Sequence, residues 1–166
     1  MSGWWWDRPE FVEAQQDSNF TAWAENVPLG LELFGIRDLI PDIPANISSQ
    51  EALPIAERAL LDHFPDRSSW MTNETQDTSF RFIGYLGQYY VNNLECKWVN
   101  QPRVETYSWH QAGPALERPW NNTSLYEAFA APRIAIIRRS GTEWSSTFQS
   151  NRKKYQAWVE AGRPSS

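Results

Sequence analysis

Apolar residues recur at helical spacing over residues 76–94, and this stretch is the clearest predicted element of the chain. Its apolar side carries large residues that an amphipathic helix would turn toward a core: Phe82, Ile83, Leu86, Tyr89, Tyr90 and Leu94. The same stretch contains Gly84 and Gly87, which lie one turn apart on nearly the same face of a helix. Each glycine costs about 1 kcal/mol relative to alanine inside a helix. The pair therefore indicates a face on which another element packs closely.

Three further helices are predicted. The first covers residues 10–25 and is ended by Pro28, and the second opens at Ser48, where Ser48 and Glu51 have capping-box spacing, and ends before Pro65. The third covers residues 143–160, with Thr142 as its N-cap. Its apolar residues recur at helical spacing: Trp144, Phe148, Tyr155 and Trp158.

Alternating and short apolar runs predict the strands. Residues 29–33 alternate leucine with other residues, which favours a strand, and residues 97–100 and 104–109 form a predicted antiparallel hairpin. Residues 113–124 are rich in Pro and Asn and predict a loop. Residues 125–130 predict a short helix stopped by Pro132, and for residues 133–139 a strand is favoured over a helix.

These elements predict a single α+β domain over residues 1–166, with helices packed on a small, mainly antiparallel sheet. Residues 1–9 form a Trp-rich N-terminal arm in this interpretation, and residues 161–166 form a flexible tail. At 166 residues the chain is long enough to bury a substantial core.

Aromatic content and charge distribution are the unusual features of the composition. The chain has ten Trp, six Tyr and eight Phe, and a formal net charge of −5. Residues 1–100 hold 6 Lys or Arg against 15 Asp or Glu, whereas residues 101–166 hold 9 against 5. This acidic surplus argues against nucleic acid as a ligand and suits a basic protein partner. Large rings can pack a core or anchor an interface.

Little in the sequence predicts catalysis or a metal site. The only cysteine, Cys96, and the only histidines, His63 and His110, exclude a disulfide framework and a multi-ligand zinc site. No cofactor is predicted, and the chain is interpreted as a non-enzyme. The N-terminus lacks the basic region and apolar run of a signal peptide, and no run reaches the length of a membrane span. We therefore expect a cytoplasmic protein that does not associate with membranes.

The helix over residues 80–88 and the tryptophan that follows it resemble a pattern in small bacterial cytoplasmic proteins. In that pattern a helix with R-x-(I/L)-G-x-(L/Y)-G-(E/Q) leads into a turn and a lone tryptophan, and the matching residues here are Arg81, Gly84, Gly87, Gln88 and Trp98. Leu94-Glu95-Cys96 replaces the usual glycine-rich turn. The pattern is similar to that of actinobacterial-type immunity proteins of polymorphic toxin systems. The resemblance implies an α+β fold and a binding role.

The leading hypothesis is a cytoplasmic immunity protein that binds a cognate secreted toxin domain and blocks its active site. One protein of this class covers the active site of an NAD-degrading toxin, so such a toxin is one candidate partner. The predicted partner-binding residues lie in loops and in the N-terminal arm: Trp5, Trp109, His110, Gln111 and Trp120. A non-catalytic adaptor or secretion chaperone that binds its client through the Trp-rich N-terminus is the alternative, and a small enzyme using His110 is a third hypothesis.

Overall fold

Helices make up most of the computed structural model, which describes residues 7–33, 35–102 and 112–165. The helices of the described residues are α1 (Pro9–Ala14), α2 (Ser18–Leu33), α3 (Ile36–Leu39), α4 (Ala52–His63), α5 (Gln76–Leu94), α6 (Ala130–Arg138) and α7 (Glu143–Glu160), with a 3₁₀ turn at Arg67–Ser69. The strands are β1 (Lys97–Gln101), β2 (Gly113–Arg118) and β3 (Asn121–Tyr126). The predicted α+β class is confirmed.

The three strands form an antiparallel sheet in the order β1-β2-β3. Trp98 pairs with Leu116, and the next pair along β1 is Val99 with Ala115. Because successive side chains point to opposite faces of a strand, the first pair faces the main core and the second packs with Phe11 of α1. The sheet is thus covered by α5 on one face and by α1 on the other.

Helix α1 is attached to the outer edge of β1 by hydrogen bonds of two side chains. The Gln15 amide donates to the carbonyl oxygen of Asn100 at 2.6 Å and accepts from the N–H of Asn100 at 2.8 Å. The Asn100 side chain in turn donates to the carbonyl oxygen of Ala14 at 2.9 Å. These bonds occupy backbone groups that an exposed sheet edge would otherwise offer to another strand.

Helix α5 begins and ends at the predicted residues and lies at the centre of the molecule, in contact with α2, α3, α7, β1 and β2. Its two glycines face different neighbours. A Cβ on Gly87 would lie 1.9 Å from the Trp98 ring, so this position admits no larger side chain while the ring stays in place. A Cβ on Gly84 would lie 3.5 Å from Val27 of α2, an ordinary contact. Close packing therefore excludes a side chain at Gly87, whereas Gly84 has room for one methyl group.

The prediction for residues 10–33 was wrong in three respects. Residues 10–25 are not one helix, because α1 ends at Ala14 and α2 begins at Ser18. Helix α2 does not end at Pro28 but continues to Leu33, and residues 29–33 are helical rather than a strand. Trp23, Val27 and Leu31 are spaced four residues apart, and Val27 and Leu31 are buried on one side of α2. The free energy gained by packing this apolar stripe exceeds the cost of the backbone hydrogen bond that Pro28 removes.

Residues 113–139 also differ from their predictions. Residues 113–124 are not a loop but contain β2 and most of β3, while the predicted strand at 104–109 lies outside the described residues. Residues 125–130 are not a helix: Tyr126 ends β3, and Pro132 lies in the first turn of α6, where its missing N–H costs little. Residues 133–139 are not a strand, because Ala135 and Ile136 are buried while Ile134 and Ile137 are exposed, a helical pattern.

The predicted capping box at Ser48 is absent. Helix α4 begins at Ala52, and the Ser48 hydroxyl accepts a hydrogen bond from Asn92 of α5 at 2.8 Å. Thr142 does occupy the N-cap position of α7, but its side chain makes no capping bond. The buried carboxylate of Glu57 in α4 instead accepts the N–H groups of Glu143 and Trp144, each at 3.0 Å. One helix therefore caps another across the core.

The turn after α5 forms without the glycines of the immunity-protein pattern that this segment resembles. Glu95 adopts the left-handed conformation, with φ of 55°. Its carboxylate accepts from the Tyr155 hydroxyl at 2.6 Å and from Arg163 at 3.1 Å. These bonds connect the end of α5 to α7 and to the C-terminal segment, where Trp158 also donates to the carbonyl oxygen of Pro164 at 3.0 Å.

Candidate functional site

Two neighbouring clefts lie where α2 crosses α5. On α5, Arg81, Gly84, Gln88 and Asn92 recur about every four residues and so share one face of the helix. Helix α2 meets this face at Gly84, where Val27 is the nearest neighbour. The described residues leave a cleft on each side of the crossing, and the two clefts share Leu31 and Ile36 in their walls. We call the two clefts and the exposed side of α2 between them the α2 surface.

The first cleft is apolar and has a volume of about 440 Å³. Trp23, Val27 and Phe80 contribute to its walls, and Gly30 and Gly84 both line it. Trp23 is held in place by the edge-to-face contact of its ring with Trp98, at 4.9 Å between centroids. The apolar cleft is thus built on the same aromatic contact that fixes Trp98 over Gly87.

The second cleft is polar and larger, with a volume of about 880 Å³. On its α5 side, Gln88 donates to Asn92 at 2.8 Å and accepts from the Trp98 indole at 3.4 Å. Asn92 continues this chain of hydrogen bonds to Ser48. The network holds the amide side chains of α5 in fixed orientations, so this wall of the cleft is ordered by bonds within the fold.

The charges at the polar cleft leave an acidic excess. Arg37 donates to the carbonyl oxygens of Ile43 and Pro44 at the surface of the neighbouring loop. Glu32 and Asp38 are both exposed, line the same cleft, and make no ion pair with any residue that the structure describes. The cleft therefore offers carboxylates to a cation from outside the fold.

The exposed side of α2 separates the two clefts and also carries exposed carboxylates. Glu25 and Glu32 are exposed, and between them Leu29 keeps 49% of its surface accessible. A half-exposed leucine between carboxylates is a surface for a partner that is both apolar and basic. Trp120, the predicted partner-binding residue that the structure describes, does not lie here.

Of the five predicted partner-binding residues, the structure describes Trp120 alone. Trp5, Trp109, His110 and Gln111 lie outside the described residues. Trp120 lies in the turn between β2 and β3, where it is half-buried and packs edge-to-face on Tyr155 at 5.8 Å between ring centroids. Its indole nitrogen is buried and has no hydrogen-bond partner among the described residues. Part of Trp120 is therefore engaged in packing the turn on α7.

The chemistry available to Cys96 is limited by its burial. Its side chain is 5% exposed, and burial raises the pKa of the thiol to about 12, although the positive charge of Arg118 opposes this shift. Deprotonation at neutral pH is thus negligible. Within the part of the chain that the structure describes, no group of three or more His, Cys, Asp and Glu side chains could hold a metal ion.

This burial predicts how the thiol reacts. At pH 8 the folded protein should not react with an aromatic disulfide reagent within minutes, whereas one thiol per chain should react at once in 6 M guanidinium chloride. Absorbance of the released thiolate measures both, and Cys96→Ser provides the blank. Rapid stoichiometric labelling of the folded chain would contradict the observed burial.

Sequence reasoning missed the α2 surface because residues 29–33 were interpreted as a strand. The pattern that identifies it is present in the sequence: Trp23, Val27 and Leu31 recur at four-residue spacing through Pro28. Extending the helix along this stripe places Glu25, Leu29 and Glu32 on its outer side.

Comparison with known proteins adds no relative. No protein-family model, curated protein or solved structure matches this chain. Among the described residues no helix is both long and apolar enough to cross a membrane.

Proposed function

We propose that this chain is an immunity protein that acts in the cytoplasm, binds a cognate secreted toxin domain and blocks its active site. The observation that carries the proposal is the α2 surface, which combines an apolar cleft with an adjoining acidic one. An NAD-degrading toxin is the first class of partner to test, because of the resemblance of residues 81–98 to immunity proteins.

Charge complementarity supports a basic partner. Glu25, Glu32 and Asp38 lie on or beside the exposed side of α2, in a chain of net charge −5. They outnumber the two arginines that line the clefts, Arg37 and Arg81. A negative surface accelerates association with a positively charged partner and disfavours acidic ones. Toxin domains that bind anionic substrates have basic clefts, and an acidic inhibitor can occupy such a cleft in place of the substrate.

The apolar part of the surface supports stable binding. Tight interfaces depend on a few large side chains buried in well-formed pockets, surrounded by polar contacts. The walls of the apolar cleft are packed on the fold, because Trp23 contacts Trp98 and most residues of the adjacent α5 are buried. A partner side chain could enter it without reorganising the core.

Co-expression with the toxin tests the proposal. The reading frame beside this gene should encode a secretion module with a variable C-terminal domain, and this chain should rescue bacteria that express that C-terminal domain. The two proteins should also elute together in size-exclusion chromatography. If the chain neither rescues the cells nor forms a complex, the immunity hypothesis is wrong.

Truncation separates this proposal from the adaptor alternative. Removing residues 1–6 deletes the three adjacent tryptophans but keeps α1 and the bonds between Gln15 and Asn100 that attach it to β1. The immunity proposal expects rescue to persist in the truncated chain if it folds, as checked by circular dichroism. Lost binding with the fold retained would favour an adaptor or secretion chaperone that uses the N-terminus.

A further inference from the structure

Gly30 is a glycine in the body of α2 for which the described residues set no steric requirement. Its backbone does not adopt the left-handed conformation, and a Cβ built on it would meet no atom of a described residue within 4 Å. Glycine is unfavourable inside a helix because it leaves the unfolded chain more conformational freedom. Gly87 differs, since the Trp98 ring occupies the space of its missing side chain.

Among the described residues, no atom fills the space that a side chain at Gly30 would take beside the apolar cleft. Gly30 and Gly84 line this cleft from opposite helices, with Trp23 and Phe80 as its aromatic walls. A side chain at position 30 would project into the approach to the cleft. The absence of one allows the backbone of another chain to come close to α2.

The carboxylates on the opposite side of α2 specify what can approach. Residues two apart on a helix do not share a face, so Glu32 lies across α2 from Gly30, where it lines the polar cleft together with Asp38 of α3. Arg37 lines this cleft too, but its guanidinium donates to the carbonyl oxygens of Ile43 and Pro44. A chain that crosses α2 at Gly30 therefore reaches an apolar cleft on one side and exposed carboxylates on the other. A helix is about 10 Å wide with its side chains, so the two contacts are separated by a few residues of an extended or helical segment.

We infer that a cationic amphipathic segment of the partner protein crosses α2 at Gly30. It places a large apolar side chain in the apolar cleft and a lysine or arginine against Glu32 and Asp38. The identification of that protein as a toxin rests on the proposed function, whereas the chemistry of the segment rests on the α2 surface itself.

A designed peptide tests the surface without knowledge of the partner. The probe is a 14-residue helical peptide of Lys, Leu and Phe, and its control has every Lys replaced by Glu. With ¹⁵N-labelled protein, the cationic peptide should shift the amide resonances of Gly30, Leu31 and Gly84, and the acidic peptide should not. Shifts centred on α6 or α7, or no shifts at millimolar peptide, would overturn the inference.

Matched variants test the two contacts separately. Gly30→Trp should weaken peptide binding at least tenfold, whereas Ile137→Trp, at a position that is 53% exposed on α6, should leave it unchanged. Glu32→Lys should weaken binding at least fivefold, while Glu160→Lys, the same charge change at an exposed position of α7, should change it less than twofold. Equal effects within either pair would show that the α2 surface is not the site.

Gly30→Ala distinguishes a binding role from a structural one. It should raise the melting temperature by about 2–4 °C, because alanine favours the helix, and still weaken peptide binding several-fold. A lowered melting temperature would show that Gly30 serves the fold, and the inference would then fail.

Repeating the variants with the toxin domain separates this inference from the proposed function. If the toxin domain binds and Gly30→Trp binds it equally well, the inference is wrong and the immunity proposal stands. If the peptide maps to the α2 surface but the toxin domain does not bind, the immunity proposal is wrong and the surface assignment stands.

Discussion

Gly87→Ala should be among the most destabilising single-methyl additions in this protein. The new Cβ would lie 1.9 Å from one carbon of the Trp98 ring and 2.2 Å from another, so the ring must move. Its movement is opposed by the contact with Trp23 and by the pairing of Trp98 with Leu116 in the sheet. Overpacking of this kind costs about 1–3 kcal/mol or more. Urea unfolding followed by tryptophan fluorescence should show a loss of about 2 kcal/mol, after the helical preference of alanine is included.

Two controls identify the clash as the cause. Gly84→Ala, one turn earlier in α5, places its Cβ at an ordinary 3.5 Å from Val27 and should leave the stability unchanged or raise it by up to about 1 kcal/mol. In a Trp98→Ala background, Gly87→Ala should no longer destabilise, because the ring is gone. Equal effects of the two glycine substitutions would contradict the close packing of Trp98 on α5.

Glu57→Ala should produce the second large effect, about 2–4 kcal/mol of lost stability. The substitution removes the acceptor for the N–H groups of Glu143 and Trp144, and an unsatisfied buried donor costs about 1–3 kcal/mol. Thr142→Ala is the matched control, because the Thr142 side chain makes no capping bond and its loss should be nearly neutral. If the Thr142 substitution were the more harmful, α7 would be capped as the sequence pattern suggests rather than by Glu57.

The stability of the wild-type protein relative to Glu57→Gln should depend on pH. Burial raises the pKa of Glu57 above its ordinary value of 4.5, and the N–H groups of Trp144 and Glu143 oppose the rise. The folded chain then binds this proton more tightly than the unfolded chain. The resulting contribution to stability is fully present below pH 4.5 and is lost as pH rises through the folded pKa.

Glutamine at position 57 does not titrate, so the difference in unfolding free energy isolates this group. The wild-type value minus the Glu57→Gln value should fall as pH rises from 4.5 through the folded pKa. Contributions from Asp66 and Glu95, whose pKa values are lowered by their hydrogen bonds, have the opposite sign but cancel in the difference. A difference that increases with pH would show that the two N–H bonds dominate over desolvation.

The parts of the fold that the sequence predicted are those where local pattern and tertiary packing agree. Helix α5 has a continuous apolar face with no internal proline, and its predicted bounds were correct. Helix α7 was likewise predicted over the residues where it occurs. Helix α2 and helix α6 were misjudged because Pro28 and Pro132 were interpreted as terminators. Pro28 is tolerated because Val27 and Leu31 are buried beside it, and Pro132 because it lies in the first turn of α6.

The cap of α7 and the candidate site were not predictable in the same way. Glu57 precedes the two residues whose N–H groups it accepts, Glu143 and Trp144, by 86 and 87 positions. No local pattern in the sequence indicates this contact. The α2 surface likewise depends on how α2 crosses α5, which brings Gly30 and Gly84 to one cleft. The sequence did reveal the acidic excess of residues 1–100, and the structure places Glu25, Glu32 and Asp38 around that crossing.

Inhibition of the toxin domain by the purified chain tests the proposed function most directly. Increasing amounts of wild-type protein are added to a fixed amount of the toxin domain encoded beside this gene, and the toxin's turnover of its substrate is followed, beginning with NAD. We expect activity to fall linearly to zero at one chain per toxin domain, and we expect Gly30→Trp to abolish this inhibition while Ile137→Trp retains it. Full toxin activity in a tenfold excess of the folded wild-type chain would contradict the immunity proposal.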